Sequence, residues 1–129
     1  MLTDVMYATI YVRDQNKALD FYTRALGLEK RVDYPGREGR FLTVGLPGHS
    51  LEIILWPGEG GRGKAAPGQG SVTVPGPIIL ESDDLRKEFD VLRSRGVTFE
   101  EPAPEDYGFG VRATALDPDG NRISLRERK

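Results

Sequence analysis

The chain has 129 residues, a formal net charge of −2, one His, one Trp and no Cys. That length suits one domain with a real core, and the mild acidity argues against a nucleic-acid binder, which carries a basic face. Without cysteine there is no disulfide scaffold, no thiolate nucleophile and no cysteine-held zinc.

In chain order, Met6 to Val12 is rich in β-branched and aromatic residues and reads as a strand. Asp14 is an N-cap for a helix over about 16–26, whose apolar face is Ala18, Phe21, Tyr22 and Ala25 at spacings of three and four. Gly27 suits the position after that helix, where the chain turns left-handed. Strands follow at Glu29–Tyr34, Arg40–Val44 and Leu51–Trp56, separated by the turn pairs Pro35-Gly36 and Pro47-Gly48. Residues 57–70 hold six Gly and two Pro with no apolar periodicity, and read as a linker or a flap. A strand from Pro77 to Ser82 restarts the pattern. Asp83 or Asp84 caps a helix through Leu85, Phe89 and Leu92 that ends at Gly96. Strands at Val97–Glu100, Gly110–Leu116 and Arg122–Arg126 complete the chain.

The order β-α-β-β-β therefore occurs twice, over 1–56 and 71–129, within one domain over 1–129. Asp14 to Gly27 and Asp83 to Gly96 are both 13 residues. Each half is too small to bury its own apolar face alone, and the class is α+β with mixed sheets. No apolar run approaches the roughly 20 residues of a membrane span. Met1-Leu2-Thr3-Asp4 lacks the regions of a signal peptide. A cytoplasmic protein with neither nucleic-acid nor membrane partners is expected.

Tyr11-Val12-Arg13-Asp14, Ala18-Leu19-Asp20-Phe21-Tyr22 and Leu26-Gly27-Leu28 resemble the opening of the vicinal oxygen chelate superfamily. Asp117-Pro118-Asp119-Gly120-Asn121-Arg122-Ile123 resembles its closing motif. The group includes glyoxalase I, extradiol dioxygenases, fosfomycin-resistance enzymes and bleomycin-binding proteins. The resemblance covers essentially the whole chain and implies paired half-barrels, a cup-shaped site and a homodimer. In metal-using members, His or Glu side chains on the first and fourth strands of each unit point into the cup. Those positions here are Tyr7, Glu52, Pro77 and Ser124. Only Glu52 is a strong ligand, whereas a catalytic divalent ion wants about three protein donors. His49 is an odd number of residues from Glu52, so it points the other way or sits in the turn after Gly48. A resident metal is therefore disfavoured and no cofactor is expected.

Period-two alternation names the lining of the cup. It is Tyr7, Thr9 and Tyr11 on the first strand, and Ser50, Glu52, Ile54 and Trp56 on the fourth. Pro77, Ile79 and Glu81 follow on the fifth, and Arg122, Ser124 and Arg126 on the last. Such an apolar-aromatic wall with a few polar groups suits a small molecule. The candidate ligand-binding residues are Tyr7, Tyr11, Glu52, Trp56, Ser124 and Arg126. Glu52 has three readings: a general base, a recogniser of a cationic ligand, or an ion-pair partner of Arg126, Arg122 or Arg112. Two functions follow. One is a metal-independent small-molecule binder similar to the bleomycin-binding type. The other is a glyoxalase-like lyase, isomerase or dioxygenase using Glu52 as base or metal ligand. A third possibility is an accessory subunit whose cup is filled by its own side chains.

Overall fold

A computed structural model describes residues 1–37, 39–58 and 76–129. The chain divides into two compact units, Met1–Gly60 and Gly61–Lys129. Most of the segment read as a linker or flap, from residue 59 to 70, lies outside the described residues.

In the first unit, β1 (Tyr7–Val12), α1 (Gln15–Asp20), β2 (Glu29–Tyr34), β3 (Phe41–Gly45) and β4 (Glu52–Pro57) follow the expected β-α-β-β-β order. The sheet order is β1-β4-β3-β2, with β1 parallel to β4 and the other pairs antiparallel. Asp14 caps α1 by accepting the Asn16 and Lys17 N–H groups, which removes two of the helix's orphan donors. The helix differs from the expectation beyond Asp20, because Phe21–Ala25 winds as a π-helical turn. The wider turn changes which side chains face the sheet. Ala18 and Tyr22 are buried, while Phe21 and Ala25 are only half-buried. Gly27, at φ +83°, ends the turn in the left-handed region as its lack of a Cβ predicts. Ile10, Val12, Leu42, Val44, Ile53 and Leu55 are the sheet's share of the core.

The second unit repeats this plan with β5 (Ile78–Glu81), α2 (Leu85–Ser94), β6 (Thr98–Phe99), β7 (Glu105–Tyr107), β8 (Gly110–Leu116) and β9 (Arg122–Arg128). Its sheet runs β5-β9-β8-β6, with β5 parallel to β9 and β7 also pairing with β8. The three-residue β7 is an addition to the expected order. Its composition, Glu-Asp-Tyr, carries little strand signal, and pairing with β8 makes it a strand. Asp84 caps α2 through the Lys87 N–H, and Glu127 on β9 reaches the Leu85 N–H at 2.7 Å. Leu85, Phe89 and Leu92 pack from α2 onto β8 and β9, where Val111, Ala113, Ala115, Ile123 and Leu125 are buried. Among the described residues no helix is long and apolar enough to cross a membrane.

Candidate functional site

Each sheet has one face covered by its own helix and one opposite face, and the candidate residues lie on the opposite faces. In the first unit Ile10 and Val12 alternate with Tyr7 and Tyr11, which are 40% and 36% exposed. On β4, Ile53 and Leu55 are buried, while Glu52, Ile54 and Trp56 share the other side. The parallel register sets Tyr7 opposite Glu52, Thr9 opposite Ile54 and Tyr11 opposite Trp56. The two expected rows are thus one face, and four of the six ligand-binding candidates form two facing pairs on it.

Two residues that sequence reading missed complete that face. Phe41 on β3 meets the Tyr7 ring edge-on, with centroids 5.8 Å apart. Thr43, also on β3, donates its hydroxyl hydrogen to Glu52 Oε1 at 2.6 Å. The same Thr43 oxygen accepts the Val32 N–H at 3.1 Å, so a backbone donor fixes the hydroxyl that orients the carboxylate. Alternation along Phe41-Leu42-Thr43-Val44 held the clue, since Leu42 and Val44 fill the core and leave the other two for the opposite face. Tyr11 packs on the chain just after β4, where a Cβ on Gly58 would stand 3.0 Å from the ring. His49 sits exposed in the turn before β4, its N–H donating to the Leu46 carbonyl and its own carbonyl accepting from Arg31.

The second unit builds its opposite face from other chemistry. Ser124 is 2% exposed, and its Oγ accepts the Gly76 N–H at 2.8 Å. The approach is close enough that a Cβ on Gly76 would lie 2.0 Å from the Arg122 carbonyl oxygen, so only glycine fits there. Ser124 stands opposite Ile79 on β5 and Thr114 on β8. Pro77, expected with Ser124 as one of the second unit's two ligand-type positions, lies just ahead of β5, two residues before Ile79. A two-residue offset keeps the same face but changes the neighbour. Arg126 donates to Tyr107 Oη at 3.2 Å. Arg122, 4% exposed, binds Glu100 through both Nε and Nη2, at 2.8 and 3.1 Å. Arg112 lies 3.8 Å from Glu105. Arg122, Arg126 and Arg112 thus each have a partner within the second unit, and Glu52 accepts from Thr43 in the first.

The donor set bears on any metal. Glu52 supplies a carboxylate, Tyr7 a phenol, Ser124 a hydroxyl already bonded to Gly76, and Pro77 nothing. Among the described residues no group of three or more His, Asp or Glu side chains is placed to share an ion. This falls short of the three strong ligands of a catalytic divalent site.

Residues 5–125 match the model of the Glyoxalase/Bleomycin resistance protein/Dioxygenase superfamily. The chain belongs to that superfamily. A solved superfamily member from Sphaerobacter thermophilus shares 37% identity, with a TM-score of 0.79 and 98% of each chain covered. TnmS3, an antibiotic binding protein from Streptomyces sp. CB03234, shares 30% identity at a TM-score of 0.78, covering 99% of this chain and 98% of that one. A probable lactoylglutathione lyase from Synechocystis sp. is 31% identical, over 94% of this chain and 92% of its own length. The superfamily therefore places both a binder and an enzyme at similar distance from this chain, and fold alone does not choose between them.

Proposed function

We propose that the protein is a small-molecule binder that works without a divalent metal, as a cytoplasmic homodimer. It takes a planar or amphipathic ligand on the face of Tyr7, Tyr11, Glu52 and Trp56. The observation that carries this reading is the register of β1 against β4, which stands Tyr7 over Glu52 and Tyr11 beside Trp56 on a partly open face. Aromatic rings supply contact area and stacking surface. The carboxylate, aimed by Thr43, supplies one oriented charge for a cationic or hydrogen-donating group on the ligand. The donor set argued above supports metal independence, and the antibiotic binding protein among the similar structures supports the binding role.

A second reading is kept by the lactoylglutathione lyases among the relatives. Under it Glu52 is a general base or metal ligand, and the bond from Thr43 sets its direction.

The test is a titration following the single Trp56 with aminoacridine, a planar cationic probe, alongside metal analysis after dialysis against Ni, Zn, Mn and Fe. Saturable quenching in metal-free protein, weakened at least about tenfold by Glu52→Gln and by Tyr11→Ala, is the expected result. Near-stoichiometric metal that disappears in Glu52→Ala, together with metal-dependent formation of lactoylglutathione, would replace the binder with the enzyme. Light scattering of the eluting species checks the dimer, and a monomer mass would remove that part.

A further inference from the structure

The second unit's sheet sets two arginines side by side. Arg112 on β8 is directly opposite Arg126 on β9 in the antiparallel ladder, so both side chains leave the same face. Both guanidinium groups lie over one ring, that of Tyr107, at 5.0 Å for Arg112 and 5.1 Å for Arg126. Arg126 also donates to the Tyr107 hydroxyl at 3.2 Å.

Like charges placed opposite one another repel, and proteins usually relieve this with a carboxylate. The carboxylates nearest in register do so only in part here, through a loose ion pair of Glu105 with Arg112. Glu81, opposite Arg126 on β5, is paired with Arg128 at 2.9 Å. Glu105, opposite Arg112 on β7, stands 3.8 Å from Arg112 Nε, beyond hydrogen-bond reach. Arg112 Nε is buried with no hydrogen-bond partner. A buried charged donor left unmade is costly. An arginine is also the side chain whose fixed fork of N–H groups matches an oxyanion.

We propose that Arg112 and Arg126, braced on Tyr107, form a binding site for an oxyanion, the carboxylate or phosphate group of a small organic molecule. The anion receives the Arg112 Nε–H that nothing else accepts and offsets the repulsion between the two guanidinium groups. Tyr107 holds both by cation–π contact and by its hydroxyl, so the site is formed before the anion arrives. It is built wholly of second-unit residues and does not depend on the aromatic face of the first unit.

The experiment uses the full chain, with inorganic phosphate and succinate as probes and sodium chloride at matched ionic strength as the control. Arginine Nε–Hε resonances are followed by NMR, and thermal unfolding is followed in parallel. The expected result is a saturable displacement of the Arg112 resonance and a rise in Tm with at least one probe and not with chloride. Arg126→Gln weakens the apparent affinity roughly ten- to hundredfold, the loss of one charged hydrogen-bonding partner. A response to phosphate alone points to a phosphate-bearing ligand, and one to succinate alone to a carboxylate. If Arg126→Gln does not fold, Arg112→Lys carries the comparison, since it keeps the charge and removes the Nε donor. No saturable displacement by either anion at low ionic strength overturns the proposal, and so does an equal response in the wild type and the variant. Because neither readout uses Trp56 or Glu52, failure here is distinct from failure of the aromatic-face reading.

Discussion

The two units share one topology and spend their open faces differently. On the first, Tyr7, Tyr11 and Trp56 of β1 and β4 share a face with a single carboxylate, and that carboxylate accepts a hydrogen bond from a neighbouring hydroxyl. On the second, β8 and β9 carry arginines that are engaged within that unit: Arg122 by Glu100, and Arg112 and Arg126 by Tyr107. The lesson is that the repeat conserves what packs on the helix and releases what does not. Ile10, Val12, Ile53 and Leu55 in one unit match Ile78, Leu80, Ile123 and Leu125 in the other in apolar character, whereas the opposite faces have diverged in charge.

The largest expected effect breaks what the units have in common. Tyr22→Ala and Phe89→Ala each remove a fully buried ring from the helix–sheet seam of one unit. Each should cost about 3–5 kcal/mol in urea unfolding. A much smaller loss in one of them would mean that the two seams are not equivalent.

The next effect separates the faces. Glu100→Gln removes the carboxylate charge from the buried Arg122 guanidinium and should cost about 2–4 kcal/mol. Glu52→Gln keeps an acceptor for Thr43 and should cost less than about 1 kcal/mol. Equal losses in urea unfolding would show that Glu52 is as structural as Glu100.

The smallest effect concerns the exposed edge of the first unit. Arg40 binds Asp33 through Nε and Nη2, at 2.6 and 2.8 Å. The hydrogen bonds from Arg40 hold the Asp33 carboxyl below its ordinary value of 3.8; desolvation opposes them in part, and the charges of Arg40 and then Lys30 add smaller lowering effects. A carboxyl lowered on folding contributes stability above its unfolded pKa and loses it as pH falls through the lowered folded value. Asp33→Asn should therefore flatten the acid limb of the stability curve below about pH 4 and leave its neutral-to-alkaline shape unchanged. Urea midpoints between about pH 2 and pH 7 check this, and an unchanged acid limb in the variant would show that the pair adds nothing.

Much of the fold was legible because its signals are short-range. Asp14 and Asp84 cap helices within three residues of themselves, and Gly27 and Gly96 end them at positive φ. Strand alternation placed Tyr7 with Tyr11 and Glu52 with Trp56 without reference to anything distant. The π-helical turn at Phe21–Ala25 was not legible, because its residues also suit an α-helix. The short β7 was hidden for a similar reason, since its partner strand, and not its composition, makes it a strand.

The sequence by itself determined the repeated β-α-β-β-β plan, the α+β class, the helix caps and the residues sharing each strand face. Those follow from interactions over a few residues and from a period of two. Only the tertiary structure decided that Thr43 aims Glu52, that Ser124 meets Ile79 and binds the Gly76 N–H, and that Tyr107 gathers Arg112 with Arg126. Each of these joins residues on different strands. Register between strands is set by the packing of whole faces and by turn geometry, which local spacing in a single strand does not encode.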